Sequence, residues 1–147
     1  MAAWCVENRV TLLAYGTLLG GLLSERWLGR PEPGRADLPT ASLRKYKQMI
    51  DAWGGWPLFQ ELLGVAKGIA DKHSASIANI GTRYILDRPA VAGVIIGARL
   101  GVTEHIADNG RIFEIALDPE DIAAMDSVLA HSRDLMTAIG DCGDEYR

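Results

Sequence analysis

Val94-Ile95-Ile96-Gly97-Ala98-Arg99, followed ten residues later by Asn109, is the stretch on which the reading of this chain turns. An apolar run that stops at a small-residue pair and an arginine describes a buried strand opening into a turn. A helix over Thr103 to Asn109 would aim its free backbone N–H groups and the positive end of its dipole at that turn. Phosphate is the natural guest of such a place. Strand, Gly97-Ala98-Arg99 turn and helix start together point to a nucleotide-phosphate site at the carboxyl end of a parallel strand. The same residues also suit a plain strand-to-helix connection with a solvated arginine, and their pattern alone leaves both readings open.

Working outward, Val10 to Tyr15 is a second continuous apolar run, stopped by Gly16, and suits a strand buried on both faces of a parallel sheet. Ala2 to Asn8 before it has the pattern of the tail of an amphipathic helix. Residues Gly16 to Pro39 hold Gly20-Gly21 and Gly29-Arg30-Pro31-Glu32-Pro33-Gly34 and read as a long loop of the lid or binding kind. Ala41 to Trp53 is helical in pattern, interrupted by Gly54-Gly55. Pro57 fits the first turn of a helix running to about His73, with Leu58, Leu62, Val65 and Ile69 as its buried stripe. Ser76 is a fitting cap for a helix to Arg88 with Ile77, Ile80 and Tyr84 inward, and Pro89 ends it.

After the second strand, Val91 to Ile96, and the helix up to Asn109, Asp118-Pro119-Glu120-Asp121 starts another helix. It has an Asp cap, Pro at the first position and acids in the first turn. Ile122, Met125 and Leu129 give that helix one apolar edge. Residues 134–147 have weak periodicity and read as a surface tail. Two parallel strands separated by helices are an α/β-repeat signature. Two strands neither close a barrel nor fill a doubly wound sheet, so the arrangement reads as incomplete.

At 147 residues the chain has the length of one domain, and 48% hydrophobic with 23% charged residues is the composition of a globular protein. A net charge of −4 supplies no basic face for a nucleic-acid backbone. Cys5 and Cys142 lie near opposite ends without metal-like spacing, which suits free thiols. No metal-ligand pattern is present. The N-terminus lacks a signal-peptide pattern and no stretch reaches membrane-span length, so a cytoplasmic location is expected.

Three stretches carry a family resemblance. Leu12-Leu13-Ala14-Tyr15-Gly16-Thr17-Leu18-Leu19-Gly20-Gly21-Leu22-Leu23 resembles the seventh strand, with its cofactor-wrapping loop, of the aldo-keto reductases. Val91 to Arg99 resembles their eighth strand. Glu104-His105-Ile106-Ala107-Asp108-Asn109 is similar to the helix that holds the 2′-phosphate and adenine. The resemblance covers nearly the whole chain. It implies an α/β fold, the C-terminal portion of a (β/α)8 TIM-type barrel, incomplete, with ligands at the carboxyl ends of the strands. It implies NADP(H) as cofactor and a small carbonyl or alcohol as substrate.

Residue by residue, Tyr15 matches the aromatic beneath the nicotinamide, and Leu18 and Leu19 match backbone contacts of the pyrophosphate loop. Arg26 falls where the family carries a cation after a serine, here Ser24. Gly97, Ala98, Arg99, His105, Asp108 and Asn109 match positions around the 2′-phosphate and adenine. Gly16-Thr17 stands where many relatives have Ser-Pro, and the turn after Arg99 is longer than usual.

No catalytic residue is assigned to this chain. The family's acid-base set, a tyrosine, lysine, aspartate and histidine, belongs to earlier barrel strands. Tyr46, His73 and His131 offer no convincing substitute; the two histidines read as solvated surface groups. The leading expectation is an NADP-dependent oxidoreductase by descent, shortened to its cofactor-binding half. The alternative is a non-catalytic half-barrel that pairs with another protein, a complementary half or itself through exposed strand edges.

Overall fold

The computed structural model describes residues 1–98, 101 and 104–140. The two apolar runs pair: β1 (Leu12–Tyr15) and β2 (Val91–Ile95) form a two-stranded parallel sheet. Leu12 stands opposite Val91, Leu13 opposite Gly93, Ala14 opposite Val94 and Tyr15 opposite Ile95, with an irregularity between Leu12 and Leu13. Alternation along β1 turns Leu12 and Ala14 inward and Leu13 and Tyr15 outward. Burial on both faces, expected from the unbroken apolar runs, is not observed. Leu13 is 66% exposed, Tyr15 74% and Ile95 56%, so one sheet face packs on helix and the other is bare.

The body of the protein is helical. α1 (Ala2–Glu7) leads into β1 and buries Cys5, a free thiol. α2 (Ala41–Trp53) starts where Thr40 accepts a hydrogen bond from the Leu43 N–H, an ordinary side-chain cap. α3 (Gly55–Lys72) begins two residues before Pro57, and Gly54 separates it from α2. α4 (Ile77–Leu86) is capped by Ser76, which accepts from the Asn79 N–H, as its sequence foretells. α5 (Ile106–Gly110) is a single turn. α6 (Pro119–Leu129) carries the Asp118 cap, reciprocated by Asp121, and α7 (Leu135–Ile139) follows. The expected surface tail thus starts as a short helix, and residues 141–147 lie outside the described part.

The core lies between α2, α3, α4 and α6. Ile77, Ile80 and Tyr84 of α4 face inward as their spacing predicts. On α3 the deepest residues are Phe59, Leu63, Ala66 and Ala70, one position beyond the stripe expected from Leu58, Leu62, Val65 and Ile69. Leu62 and Ile69 are buried with them, while Leu58 and Val65 are half-buried at the margin. The face is wider than one stripe because α3 packs against α2, α4 and α6 at once. Burying a side chain of this size contributes about 1.5–3 kcal/mol, which makes this layer the main source of stability.

Candidate functional site

Because β1 and β2 run parallel, the segments that leave them emerge at the same end of the sheet. Tyr15, the last residue of β1, presents its ring there, largely exposed. The chain then turns through a run of left-handed residues: Gly16 (φ 72°), Leu19 (φ 51°), Gly20 (φ 66°) and Gly21 (φ 100°). Glycine adopts that region without cost, but Leu19 does so against its Cβ, a strain of the kind found at ligand-holding turns. Tyr46 of α2 leans over this turn; a Cβ on Gly16 would lie 2.5 Å from its hydroxyl oxygen. Gly16 is therefore fixed both by backbone conformation and by Tyr46. Beside it the Thr17 Oγ1 is buried with no hydrogen-bond partner among the described residues.

The rest of the Gly16–Pro39 segment is not the free lid its glycines and prolines suggest. Leu22, Leu23, Trp27 and Leu38 are buried in the helical core. Trp56 Nε1 donates to the Arg30 carbonyl at 2.9 Å, Gln60 Nε2 donates to the Trp27 carbonyl at 2.9 Å, and Gln60 Oε1 accepts from the Gly29 N–H at 2.7 Å. Lys47 reaches Glu32 and Asp51, both at 2.6 Å. Burial pushes Lys47 down, but its bonds to Asp51 and Glu32 outweigh that and hold its ammonium above the usual lysine range. Further anchors follow at Glu25, whose Oε1 accepts from the Ile77 N–H at 2.6 Å. Trp27, Trp56 and Gln60 are anchors that the sequence reading missed. A polar residue spaced on the apolar face of α3 was their one available signal.

Of the residues expected around a cofactor, Leu18 and Leu19 are half-buried in the turn. Arg26 is exposed with its guanidinium 5.6 Å from the centre of the Trp27 ring. Gly97 and Ala98 are exposed just beyond β2, and Arg99 lies outside the described residues. Thr103 lies outside the described residues; α5 starts at Ile106, after Glu104 and His105, so it is one turn where a longer helix was expected, and its dipole is correspondingly weaker. His105 is exposed at the start of that turn. Asn109 is half-buried beside an open apolar groove lined by Leu86, Val94, Ile96, Ile112 and Phe113. Asp108 points to α4: its carboxylate accepts from Ser76 Oγ at 3.3 Å and from Asn79 Nδ2 at 3.2 Å. Arg111 lies 3.7 Å away.

A second polar cluster joins α3 to α6. Lys72 Nζ contacts Asp118 at 2.5 Å and Asp121 at 2.8 Å, and His73 Nε2 lies 2.7 Å from the other Asp121 oxygen. His73 is thus a structural partner of α6 rather than the solvated histidine expected. Burial pushes the Asp121 carboxyl up, but hydrogen bonds from Lys72 and His73 outweigh it and hold it below the usual aspartate range. Lys72 holds Asp118 low as well, and is itself raised by the pair. Tyr84 donates to Asp126, which also takes Arg88 at 2.8 Å. The first set ties α3 to α6 and the second ties α4 to α6. Among the described residues no three His, Cys, Asp or Glu side chains are grouped to hold a metal ion, and no helix is long and apolar enough to cross a membrane.

A sequence profile of the aldo/keto reductase family matches residues 1–130. Among curated proteins, the chain is similar to flagellar radial spoke protein 5 of Chlamydomonas reinhardtii, with 38% identity over 85 residues. It is also similar to prostaglandin F synthase 2 of Bos taurus, with 27% identity over 139 residues. These alignments cover 56% and 93% of the chain, but only 16% and 34% of the two relatives. The chain spans about a third or less of the curated relatives it matches.

Proposed function

The chain belongs to the aldo/keto reductase family, and on that premise we propose that it forms the NADP(H)-holding end of a (β/α)8 oxidoreductase, the strands here being the seventh and eighth of the barrel. The observation that carries this reading is the parallel pairing of β1 and β2. By it the Tyr15–Gly21 turn and Gly97–Ala98, just beyond β2, leave the sheet at one end, the end at which barrel enzymes of this architecture bind ligands.

The residues present fit such a cofactor on the β1 side. Tyr15 offers an exposed ring on which a nicotinamide can stack. The Thr17 hydroxyl has no partner among the described residues, and Arg26 carries an exposed cation suited to a pyrophosphate. On the β2 side Gly97, Ala98, Arg99, His105 and Asn109 are the positions for the 2′-phosphate and adenine. NADP(H), when bound, supplies the hydride that reduces a small carbonyl carbon, or accepts one from an alcohol. The role proposed for the residues of this chain is to bind and orient the cofactor.

Fluorescence of the four tryptophans titrated with NADPH tests the reading, since Trp27 adjoins Arg26. Saturable quenching is expected, and it is expected to weaken severalfold in Arg26→Ala, the loss of one exposed charge contact. No saturable signal removes the cofactor assignment.

A second reading has its own observation. The bare face of Leu13, Tyr15 and Ile95 is an apolar surface on a sheet with two open edges, and such surfaces associate. A relative named as a flagellar radial spoke protein accords with a family member used as a component of an assembly. Under this reading Leu13→Ser with Ile95→Ser lowers self-association in sedimentation velocity. Unchanged sedimentation argues against it.

A further inference from the structure

The first turn of α4 touches both walls of the proposed site. From the β1 side, the Ile77 N–H donates to Glu25 Oε1 at 2.6 Å. Two residues earlier Leu23 packs onto Gly81 of the same helix, so closely that a Cβ there would lie 2.3 Å from Leu23 Cδ2. From the β2 side, Asp108 is gripped through both oxygens, by Ser76 Oγ at 3.3 Å and Asn79 Nδ2 at 3.2 Å. Asn79 is 1% exposed. A primary amide so buried must find partners, and this one spends a donor on a carboxylate from another element. The positive end of the α4 dipole favours both carboxylates there. The Asn109 N–H donates to the His105 carbonyl at 2.7 Å, so His105, Asp108 and Asn109 sit on one hydrogen-bonded turn.

We propose that Ser76 and Asn79 are positioning residues of the cofactor site, and that the first turn of α4 is a bracket setting the spacing between its two walls. The inference rests on the reading that these walls hold NADP(H). Asp108 then works through its bonds to α4, aiming Asn109 and His105, rather than as a ligand contact itself. Glu25 does the same for the turn that carries Arg26.

Two measurements on the full 147-residue chain test this separately. The first needs no ligand: amide hydrogen exchange is compared in wild type and Glu25→Ala. A bracket transmits the loss, so exchange accelerates over residues 106–114 as well as 19–27. Acceleration confined to the altered loop overturns the bracket. The second is NADPH affinity in Asn79→Ala, expected to fall about tenfold, with Asn79→Gln recovering most of it because the amide donor is restored. Ser76→Ala, a less buried change, serves if Asn79→Ala does not fold. Wild-type binding with unchanged affinity in these variants overturns the positioning role while leaving the cofactor reading intact. No saturable NADPH binding by wild type overturns the cofactor reading, and the positioning role falls with it.

Discussion

The helical layer and the two-stranded sheet are built from equally apolar sequence and end in opposite environments. Phe59 and Leu63 of α3 are 1% and 0% exposed, whereas Leu13 and Ile95 of the sheet are 66% and 56% exposed. Hydrophobicity therefore says that a segment wants cover, not where the cover comes from. For α3 it comes from α2, α4 and α6 within the same chain. For the sheet, α4 covers one face only. The helical layer supplies stability on its own, and the sheet end presents groups outward, which is what a binding surface requires.

The largest test of this contrast pairs a substitution in each region. Phe59→Ala removes a fully enclosed ring and is expected to cost about 3–5 kcal/mol in urea unfolding. Leu13→Ala, an apolar truncation on the bare face, is expected to stay within about 0.5 kcal/mol. A comparable loss at Leu13 would break the comparison, because it would mean that the sheet face is packed in solution.

The next test concerns what fastens the layer at its polar seam. Asp121→Asn keeps the shape of the side chain but weakens its bonds to Lys72 and His73, and is expected to cost about 1–3 kcal/mol at neutral pH. The Asp121 carboxyl is held below its ordinary range in the folded state. Its stabilisation is thus complete above the unfolded value of about 3.9 and is lost as pH falls through the lower folded value. Between neutral pH and pH 3 the variant should therefore lose less stability than wild type. Parallel acid limbs in urea titrations would show that Asp121 contributes nothing there.

How far these regions were legible in the sequence differs for a physical reason. Local chemistry announced itself: Thr40, Ser76 and Asp118 cap helices, and Pro119 with its acids opens α6. The two strands and their parallel relation followed from unbroken apolar runs separated by helices. Their one-sided exposure did not, since a run buried on both faces and a run awaiting cover are spelled alike. The β1 residues proposed for the cofactor, Tyr15 through Arg26, were readable as a candidate wall because they are contiguous. The anchors Gln60, Trp56, Glu25 and Asn79 were not, because each acts on a carbonyl, an N–H or a carboxylate at least 26 residues away. His73 was misjudged for the same reason: Asp121, its partner, is 48 residues on. Asp108 was expected beside the 2′-phosphate and adenine; its carboxylate instead meets Ser76 and Asn79 of α4, 32 and 29 residues away.

The smallest expected effect is the most informative about the sheet end. Thr17 Oγ1 is buried without a partner among the described residues, and an unmet hydroxyl costs stability that a methyl group of the same shape would not. Thr17→Val should therefore stabilise the ligand-free chain, by about 1 kcal/mol in urea unfolding. If that hydroxyl is kept for a bound pyrophosphate, the same variant should bind NADPH more weakly than wild type. Opposite signs in the two measurements would mark this turn as a place where the protein gives up stability for binding, the reverse of α3. Gain in stability with unchanged affinity would leave the hydroxyl without a binding role and confine the cofactor contacts of this wall to Tyr15, Leu18, Leu19 and Arg26.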